Sequence, residues 1–246
     1  ASLTPYDFKL EIVYEDDELL VINKPAGVAV HGGSNISFGV IEQLRAQNPN
    51  WKFLELVHRL DRDTSGALLL AKKRSALTGL HRQIREREMG KRYLVLVKGK
   101  WQNQRQNVKL PLHKYLTASG ERRVAVAIDK KGNSEDMTAH TIFTLKKTWQ
   151  DFSLLEAELI TGRTHQIRVH MAHIRYPIVG DDAYGGRFRI HKGTSQVLRD
   201  SLSQFGRQAL HARELGLIHP ATGEAISWTS ELPEDMQTLL AALAAE

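Results

Sequence analysis

The chain has no cysteine among its 246 residues. This absence excludes disulfide bonds, thiolate nucleophiles and cysteine-based zinc sites together. No apolar run reaches the length of about 18 residues that a membrane-spanning helix requires, and residues 1–10 lack the basic-then-apolar order of a signal peptide. We therefore expect a cytoplasmic protein that is not held in a membrane.

Several sequence motifs for cofactors and nucleophiles are also missing. There is no glycine-rich motif for nucleotide phosphates and no Gly-x-Ser-x-Gly turn, which argues against nucleotide-driven and serine-esterase chemistry. His165, His170 and His173 lie close together in the chain, but no pattern such as His-Glu-x-x-His accompanies them. We expect neither a metal ion nor an organic cofactor.

The composition is that of a compact protein with a basic surface. Hydrophobic residues make up 41% of the chain, enough for a full core, and we expect one bilobed domain over residues 1–246. The net charge of +6 favours polyanionic partners, because binding them releases condensed counterions. Any single basic cluster is more simply explained as solvated surface. The clusters lie at 72–74, 82–92, 122–123, 146–147 and 187–192.

Strands outnumber helices in the predicted secondary structure. Apolar and β-branched runs predict strands over 10–14, 19–23, 53–57, 67–71, 91–97, 122–128, 141–145 and 152–160. Helices are predicted after an N-cap at Ser37, after an N-cap at Ser75, and over 164–174, 196–205 and 234–243. Because strands and helices do not alternate regularly, the sequence favours an α+β fold.

The strongest local signal is the polar loop 58–66 between two apolar runs. It holds two carboxylates and two arginines within five positions, 59–63. A carboxylate in such a place is costly unless a guanidinium compensates it, so Asp61 is a candidate nucleophile or general base. Asp63 is more simply explained as the cap of a turn with Thr64, Ser65 and Gly66.

A second polar signal runs from Thr161 to His170 around a predicted helix N-terminus. Arginines there can hold a phosphate or pair with a buried carboxylate such as Asp61, and a surface phosphate-binding turn is the simpler alternative. Tyr93 lies in an otherwise aliphatic strand, where a core role is more usual than base stacking.

Four motifs in the correct order resemble the RluA family of pseudouridine synthases. They are Asn23–Gly27, His58–Asp61 continuing through Gly66, Lys91–Leu94 and Thr161–Arg168. The stretches 31–34, 37–42 and 53–57 further resemble one member that acts on the large ribosomal subunit. The resemblance implies a pseudouridine synthase fold, with a mixed, mostly antiparallel bisected sheet and flanking helices.

The resemblance also assigns roles to individual residues. Asp61 matches the aspartate that takes part covalently while uracil is detached, rotated and rejoined through C5. Arg168 matches the arginine that forms a salt bridge with it, and Tyr93 matches the ring that packs against the target base. Attack at C1′, attack at C6 and a glycal-like route all stay open for Asp61.

Further matching positions imply contacts with RNA. Arg59 matches the residue that enters the helix after the uridine has flipped out, a step needed because a stacked glycosidic bond cannot be reached. Ile167 matches an apolar wall of the site. The same motifs contain four more residues that we expect to contact RNA: Lys24, Arg62, Arg163 and His165.

The leading hypothesis is therefore an isomerase that converts uridines of 23S ribosomal RNA to pseudouridine, acting as a monomer. An N-terminal S4-like RNA-binding domain is common in such relatives, and we expect it to be absent from this chain. One alternative is a non-catalytic RNA-binding or ribosome-assembly module in which Asp61 is a structural ion-pair partner. Another is a glycosidic hydrolase that uses Asp61 with Asp63 or Glu55.

Overall fold

The structure, a computed structural model, describes residues 9–33, 38–128 and 135–246. Its strands are β1 Glu11–Glu15, β2 Leu19–Lys24, β3 Glu55–Leu56, β4 Ser65–Ala71, β5 Gly90–Lys98, β6 Arg105–Val108, β7 Leu112–Leu116, β8 Arg122–Val126, β9 Thr141–Thr148, β10 Phe152–Leu159, β11 Leu210–Ile218 and β12 Ala225–Thr229. Its α-helices are α1 Val40–Gln47, α2 Arg74–Arg85, α3 Gln166–His173, α4 Gln196–Gln204 and α5 Glu234–Ala244, and Asp182–Tyr184 form a 3-10 helix.

The described residues form two compact units. One comprises the chain up to Lys91 with His211–Pro233, and the other comprises Arg92–Leu210 with Glu234–Glu246.

The first unit is built on a sheet in which β4 is central. β4 pairs antiparallel with β2 and β3 and parallel with β11, while β1 pairs with β2 and β12 with β11. All seven residues of β4 are buried, as expected for a strand covered on both faces. The core of this unit joins these strands to α2 and includes Leu19, Val21, Leu69, Leu80, Leu215 and Trp228.

The second unit contains an antiparallel sheet in the order β5, β10, β9 and β6. β7 and β8 form a separate antiparallel hairpin. A smaller core under this hairpin contains Leu112, Val124, Ala139 and Val169, the last of which lies on α3. The hairpin and α3 are thus packed against each other.

The predicted α+β fold with a mixed, mostly antiparallel sheet is confirmed, but some predicted details differ. The strands β1 and β2, the loop between β3 and β4, and the helices α3, α4 and α5 are where the sequence predicts them. α2 has Lys73 as its N-cap, so Ser75 lies in its first turn and the predicted cap is wrong. α1 has Gly39 as its N-cap, and Ser37 lies outside the described residues.

Four strands were not predicted: β6, β7, β11 and β12. No helix in the described part of the chain has the length and apolarity needed to cross a membrane.

Candidate active site

Asp61 lies in the loop that connects β3 to β4. The backbone N–H of Thr64 donates to the carbonyl of Asp61 at 3.0 Å, which closes a turn just before β4 begins at Ser65. Asp61 is half-buried, whereas Arg59 and Arg62 are exposed. The loop therefore presents two guanidinium groups to solvent on either side of a partly shielded carboxylate.

The side chain of Lys24 fixes the backbone of this loop. It is fully buried, and Nζ donates to the carbonyls of Pro25, Val28 and Arg62 at 2.8, 2.8 and 2.9 Å. The N–H of Gly27 donates to the same Arg62 carbonyl at 2.9 Å. Three charge-assisted bonds offset the cost of burying the ammonium.

Burial and the three bonds to backbone carbonyls show that Lys24 fixes the loop that carries Asp61. A contact between Lys24 and RNA stays a prediction.

The other end of the loop is fixed by β11. The hydroxyl of Ser65 lies 2.8 Å from Nδ1 of His211, and His211 Nε2 lies 3.1 Å from the carbonyl of Ser230. Since the carbonyl of Ser230 can only accept, Nε2 carries a proton, and in the neutral imidazole Nδ1 accepts from the Ser65 hydroxyl. Gly66, at φ +120°, lies so close to the backbone of Ala212 that no side chain fits there.

His58 opens the loop and is held neutral. Its Nε2 accepts the N–H of Leu69 at 3.0 Å, a bond that protonation of Nε2 would break. Burial, together with the charge of Lys91, lowers the pKa of His58 to about 3. His58 therefore serves as an uncharged acceptor that ties the start of the loop to β4.

In the second unit, Arg168 lies on α3 and is buried with a carboxylate. Its Nε and Nη2 donate to the two oxygens of Asp181, each at 2.9 Å. The side chains are 10% and 2% exposed. This ion pair was not foreseen, because the family resemblance pairs Arg168 with Asp61 and no sequence motif contains Asp181. A salt bridge between Arg168 and Asp61 stays a prediction.

The N-terminus of α3 carries the other residues of its motif. His165, its N-cap, has a left-handed backbone with φ 55°, and its Nδ1 lies 2.7 Å from the hydroxyl of Tyr184. Arg163 is exposed and donates from Nε to the carbonyl of Thr138 at 2.9 Å. Ile167 is buried, with 4% of its surface exposed. Arg163 is thus the residue of this group most accessible to a ligand.

Two further residues named in the sequence motifs, Tyr93 and His170, lie inside the protein. Tyr93 is buried on β5, opposite Ala157 of β10, so its ring is part of a packed sheet. His170 is also buried, and its two ring nitrogens lie 2.9 Å from Thr141 Oγ1 and 2.9 Å from the carbonyl of Leu110. Burial lowers the pKa of His170. Within residues 9–33, 38–128 and 135–246, no group of three or more His, Asp or Glu side chains is arranged to hold a metal ion.

Comparison with known proteins gives a consistent result. Residues 18–173 match the family model described as RNA pseudouridylate synthase. The chain is 47% identical over 242 residues to ribosomal large subunit pseudouridine synthase C of Haemophilus ducreyi, an alignment that covers 98% of this chain and 71% of that protein. It is also 47% identical over 229 residues to the protein of the same name from Escherichia coli K12, with 93% and 68% covered.

Solved structures agree with these relatives. Human RNA pseudouridylate synthase domain containing 4 is similar with a TM-score of 0.77 and 25% identity, covering 95% of this chain and 93% of that one. Human RNA pseudouridylate synthase domain containing 1 gives 0.69 and 26%, covering 97% and 96%. The family model spans more than half of the chain, and relatives nearly half identical to it span more than nine-tenths. The chain therefore belongs to the RNA pseudouridylate synthase family, whose members are isomerases acting on RNA.

Proposed function

We propose that this protein converts specific uridines of 23S ribosomal RNA to pseudouridine, with Asp61 as the catalytic residue. The observation that carries the proposal is the Asp61 loop. It stands on a fixed backbone between β3 and β4, in a chain nearly half identical to proteins named for pseudouridine synthesis in the large ribosomal subunit.

The reaction conserves every atom of the uridine apart from exchange of one proton. The bond from C1′ to N1 breaks, the uracil rotates, and a new bond forms from C1′ to C5. The hydrogen on C5 leaves to solvent, and N1 gains a proton. A carboxylate at Asp61 assists by transient covalent bonding or as a base, and the route through C1′, C6 or a glycal is open.

A rigid loop suits this chemistry. The nucleophile has to meet a base that has left the helical stack, and a misplaced reactive group costs rate steeply. Lys24, His58 and the pair Ser65–His211 fix the loop at three points. We propose that these contacts position Asp61 before RNA arrives.

The exposed arginines are proposed to handle the RNA itself. Arg59 and Arg62 flank Asp61 and point to solvent, so Arg59 is suited to occupy the space left by the flipped uridine and Arg62 to contact phosphate. Arg163, His165 and Ile167 are proposed to contact RNA from the start of α3. Tyr93 and Arg168 are proposed to assist Asp61 in catalysis, as the ordered motifs imply.

We further propose that the protein works as a monomer in the cytoplasm, on the 23S RNA or a precursor of the large subunit. Sedimentation velocity of the protein with and without RNA tests the monomer.

The function is tested by tritium release from C5-labelled uridine in unmodified 23S RNA, with mapping of the products. The unmutated chain is expected to release tritium and to leave pseudouridine at discrete positions, because C5 loses its hydrogen only when the new bond forms. Asp61→Asn is expected to abolish release while still binding RNA. Asp63→Asn is the matched control, since it removes a carboxylate from the same loop and is expected to keep most of the activity.

Three outcomes contradict the proposal. Tritium release by Asp61→Asn at the wild-type rate excludes Asp61 as the catalytic residue. RNA binding without tritium release by the unmutated chain favours the non-catalytic binding module. Free uracil among the products favours the glycosidic hydrolase.

A further inference from the structure

Arg168 is held by a short turn that no sequence motif singled out. The turn comprises residues 178–186, here called the Asp181 turn, and contains the 3-10 helix Asp182–Tyr184. Asp181 grips the guanidinium through both carboxylate oxygens at 2.9 Å. A bidentate pair of this kind fixes the plane of the guanidinium as well as its position.

The aromatic ring of Tyr184 covers the guanidinium from one side. The guanidinium carbon of Arg168 lies 5.0 Å from the ring centroid, within the range of a cation–π interaction. With one edge held by Asp181 and one face covered by Tyr184, the guanidinium has little freedom to rotate.

Tyr184 is itself held at its hydroxyl. The N–H of Val124 on β8 donates to it at 3.0 Å, and the hydroxyl lies 2.7 Å from Nδ1 of His165. Burial raises the pKa of Tyr184, so the phenol keeps its proton at neutral pH. The direction of its hydrogen bond with His165 is set by the tautomer of the imidazole. The same turn receives a second bond from the hairpin, from Arg123 to the carbonyl of Ala183 at 3.0 Å.

The backbone of the Asp181 turn permits little movement. Gly180, at φ +80°, packs against the carbonyl of Arg207, and Gly186 packs against the backbone of Asp181 and Ile178, so neither position has room for a side chain. Asp181 donates its N–H to Ile178 at 3.1 Å and accepts from Gly186 at 2.7 Å. The backbone that carries the Asp181 carboxylate is therefore rigid.

A buried pair is a poor source of stability, because the desolvation of both charges opposes their attraction. The arrangement instead restricts one guanidinium to one orientation, which is what a reaction sensitive to small displacements requires.

We propose that Asp181 and Tyr184 are positioning residues that aim Arg168 for uridine isomerisation. The proposal rests on the proposed function, since it assigns Arg168 to that reaction. Asp181 acts through Arg168 and is not itself expected to touch the substrate.

The test is a double-mutant cycle on the single-turnover rate of tritium release, using Arg168→Lys, Asp181→Asn and the double variant. Asp181→Asn puts an amide where both guanidinium N–H groups need an acceptor, and we expect its rate to fall about 10- to 100-fold. RNA affinity is expected to change by less than about twofold, because the pair is buried. In the Arg168→Lys background, Asp181→Asn is expected to lower the rate by less than about a further threefold. Asp182→Asn, which removes an exposed carboxylate from the same turn, is the matched control and is expected to keep the full rate.

Tyr184→Phe separates the two contacts of that residue. It keeps the ring over Arg168 but removes the hydroxyl that joins Val124 and His165, and we expect a loss of rate smaller than that of Asp181→Asn. If Asp181→Asn does not fold, Asp181→Glu replaces it in the cycle, because it keeps the charge while moving the carboxylate by about one carbon–carbon bond.

The outcomes separate the possible failures. A wild-type rate from folded Asp181→Asn or Asp181→Glu overturns the positioning role while the proposed function stands. Losses that multiply with Arg168→Lys overturn it in the same way, since they show that Asp181 acts elsewhere. The absence of tritium release from the unmutated chain overturns the proposed function and the positioning role together.

Discussion

Replacing Asp16 by asparagine is expected to destabilise the protein and to flatten its acid sensitivity. Asp16 lies in the turn between β1 and β2, and its side chain is 29% exposed. It accepts hydrogen bonds from the hydroxyl of Tyr14 at 2.6 Å, from Nε2 of His219 at 2.7 Å, and from the N–H groups of Glu18 and Leu19 at 2.7 and 2.8 Å. Four donors therefore converge on one carboxylate.

The size of the expected loss of stability follows from the lowered pKa of Asp16. Burial alone would raise the pKa of Asp16, but the hydrogen bonds from Tyr14, His219, Leu19 and Glu18 outweigh it and lower the pKa to about 2. Relative to the ordinary value of 3.8, the ionised form is favoured in the folded state by about 2 kcal/mol. Because the folded pKa is the lower one, this stability is present above pH 4 or so and is lost as the pH falls through 2.

The assay is urea denaturation between pH 2 and pH 7. Asp16→Asn is expected to lower the free energy of unfolding by about 2 kcal/mol at pH 7 and to lose much less stability than the wild type between pH 4 and pH 2. Asp17→Asn is the matched control, because Asp17 is an exposed carboxylate in the same turn. The reasoning is refuted if Asp16→Asn matches the wild type at pH 7, or if Asp17→Asn loses as much.

Two further predictions concern the Asp61 loop. Gly66→Ala is expected to lower the free energy of unfolding by more than about 2 kcal/mol, since Gly66 has φ +120° and touches the backbone of Ala212. The control is Gly206→Ala, because Gly206 has open surroundings. Equal melting temperatures of the two variants in thermal denaturation would contradict this prediction. In the folded protein His58 is expected to stay neutral down to its pKa of about 3. Its contribution to stability therefore falls as the pH drops below about 6.5, the pKa of histidine in the unfolded chain. If NMR shows the ring titrating near pH 6.5 in the folded protein, the bond from Leu69 does not keep Nε2 unprotonated.

Much of the fold follows from local patterns in the sequence. Val40, Ile41 and Leu44 share one face of α1, and all three are buried. β4 is a continuous apolar run, and the predicted strands β9 and β10 pair with each other. These elements were predictable because the spacing of their apolar residues and the residues of their turns lie within short segments of the sequence.

The unpredicted strands lack such a pattern. β6 reads Arg-Gln-Asn-Val, and β11 carries His211, Arg213 and Glu214 among its apolar residues. In β11 the histidine is buried because Ser65 and Ser230 satisfy both of its ring nitrogens. Polar strands of this kind depend on partners far along the chain, and no local window contains those partners.

The sequence by itself pointed to the residues that are proposed to carry the chemistry, because Asp61, Tyr93 and Arg168 stand in motifs that resemble those of the family in the same order. Only the tertiary structure decided how those residues are held. It buried the ammonium of Lys24 among three backbone carbonyls, joined Ser65 to His211 across 146 positions, and paired Arg168 with the carboxylate of Asp181. The physical reason is that burial and hydrogen bonding are properties of neighbours in space, and a chain brings such neighbours together only when it folds.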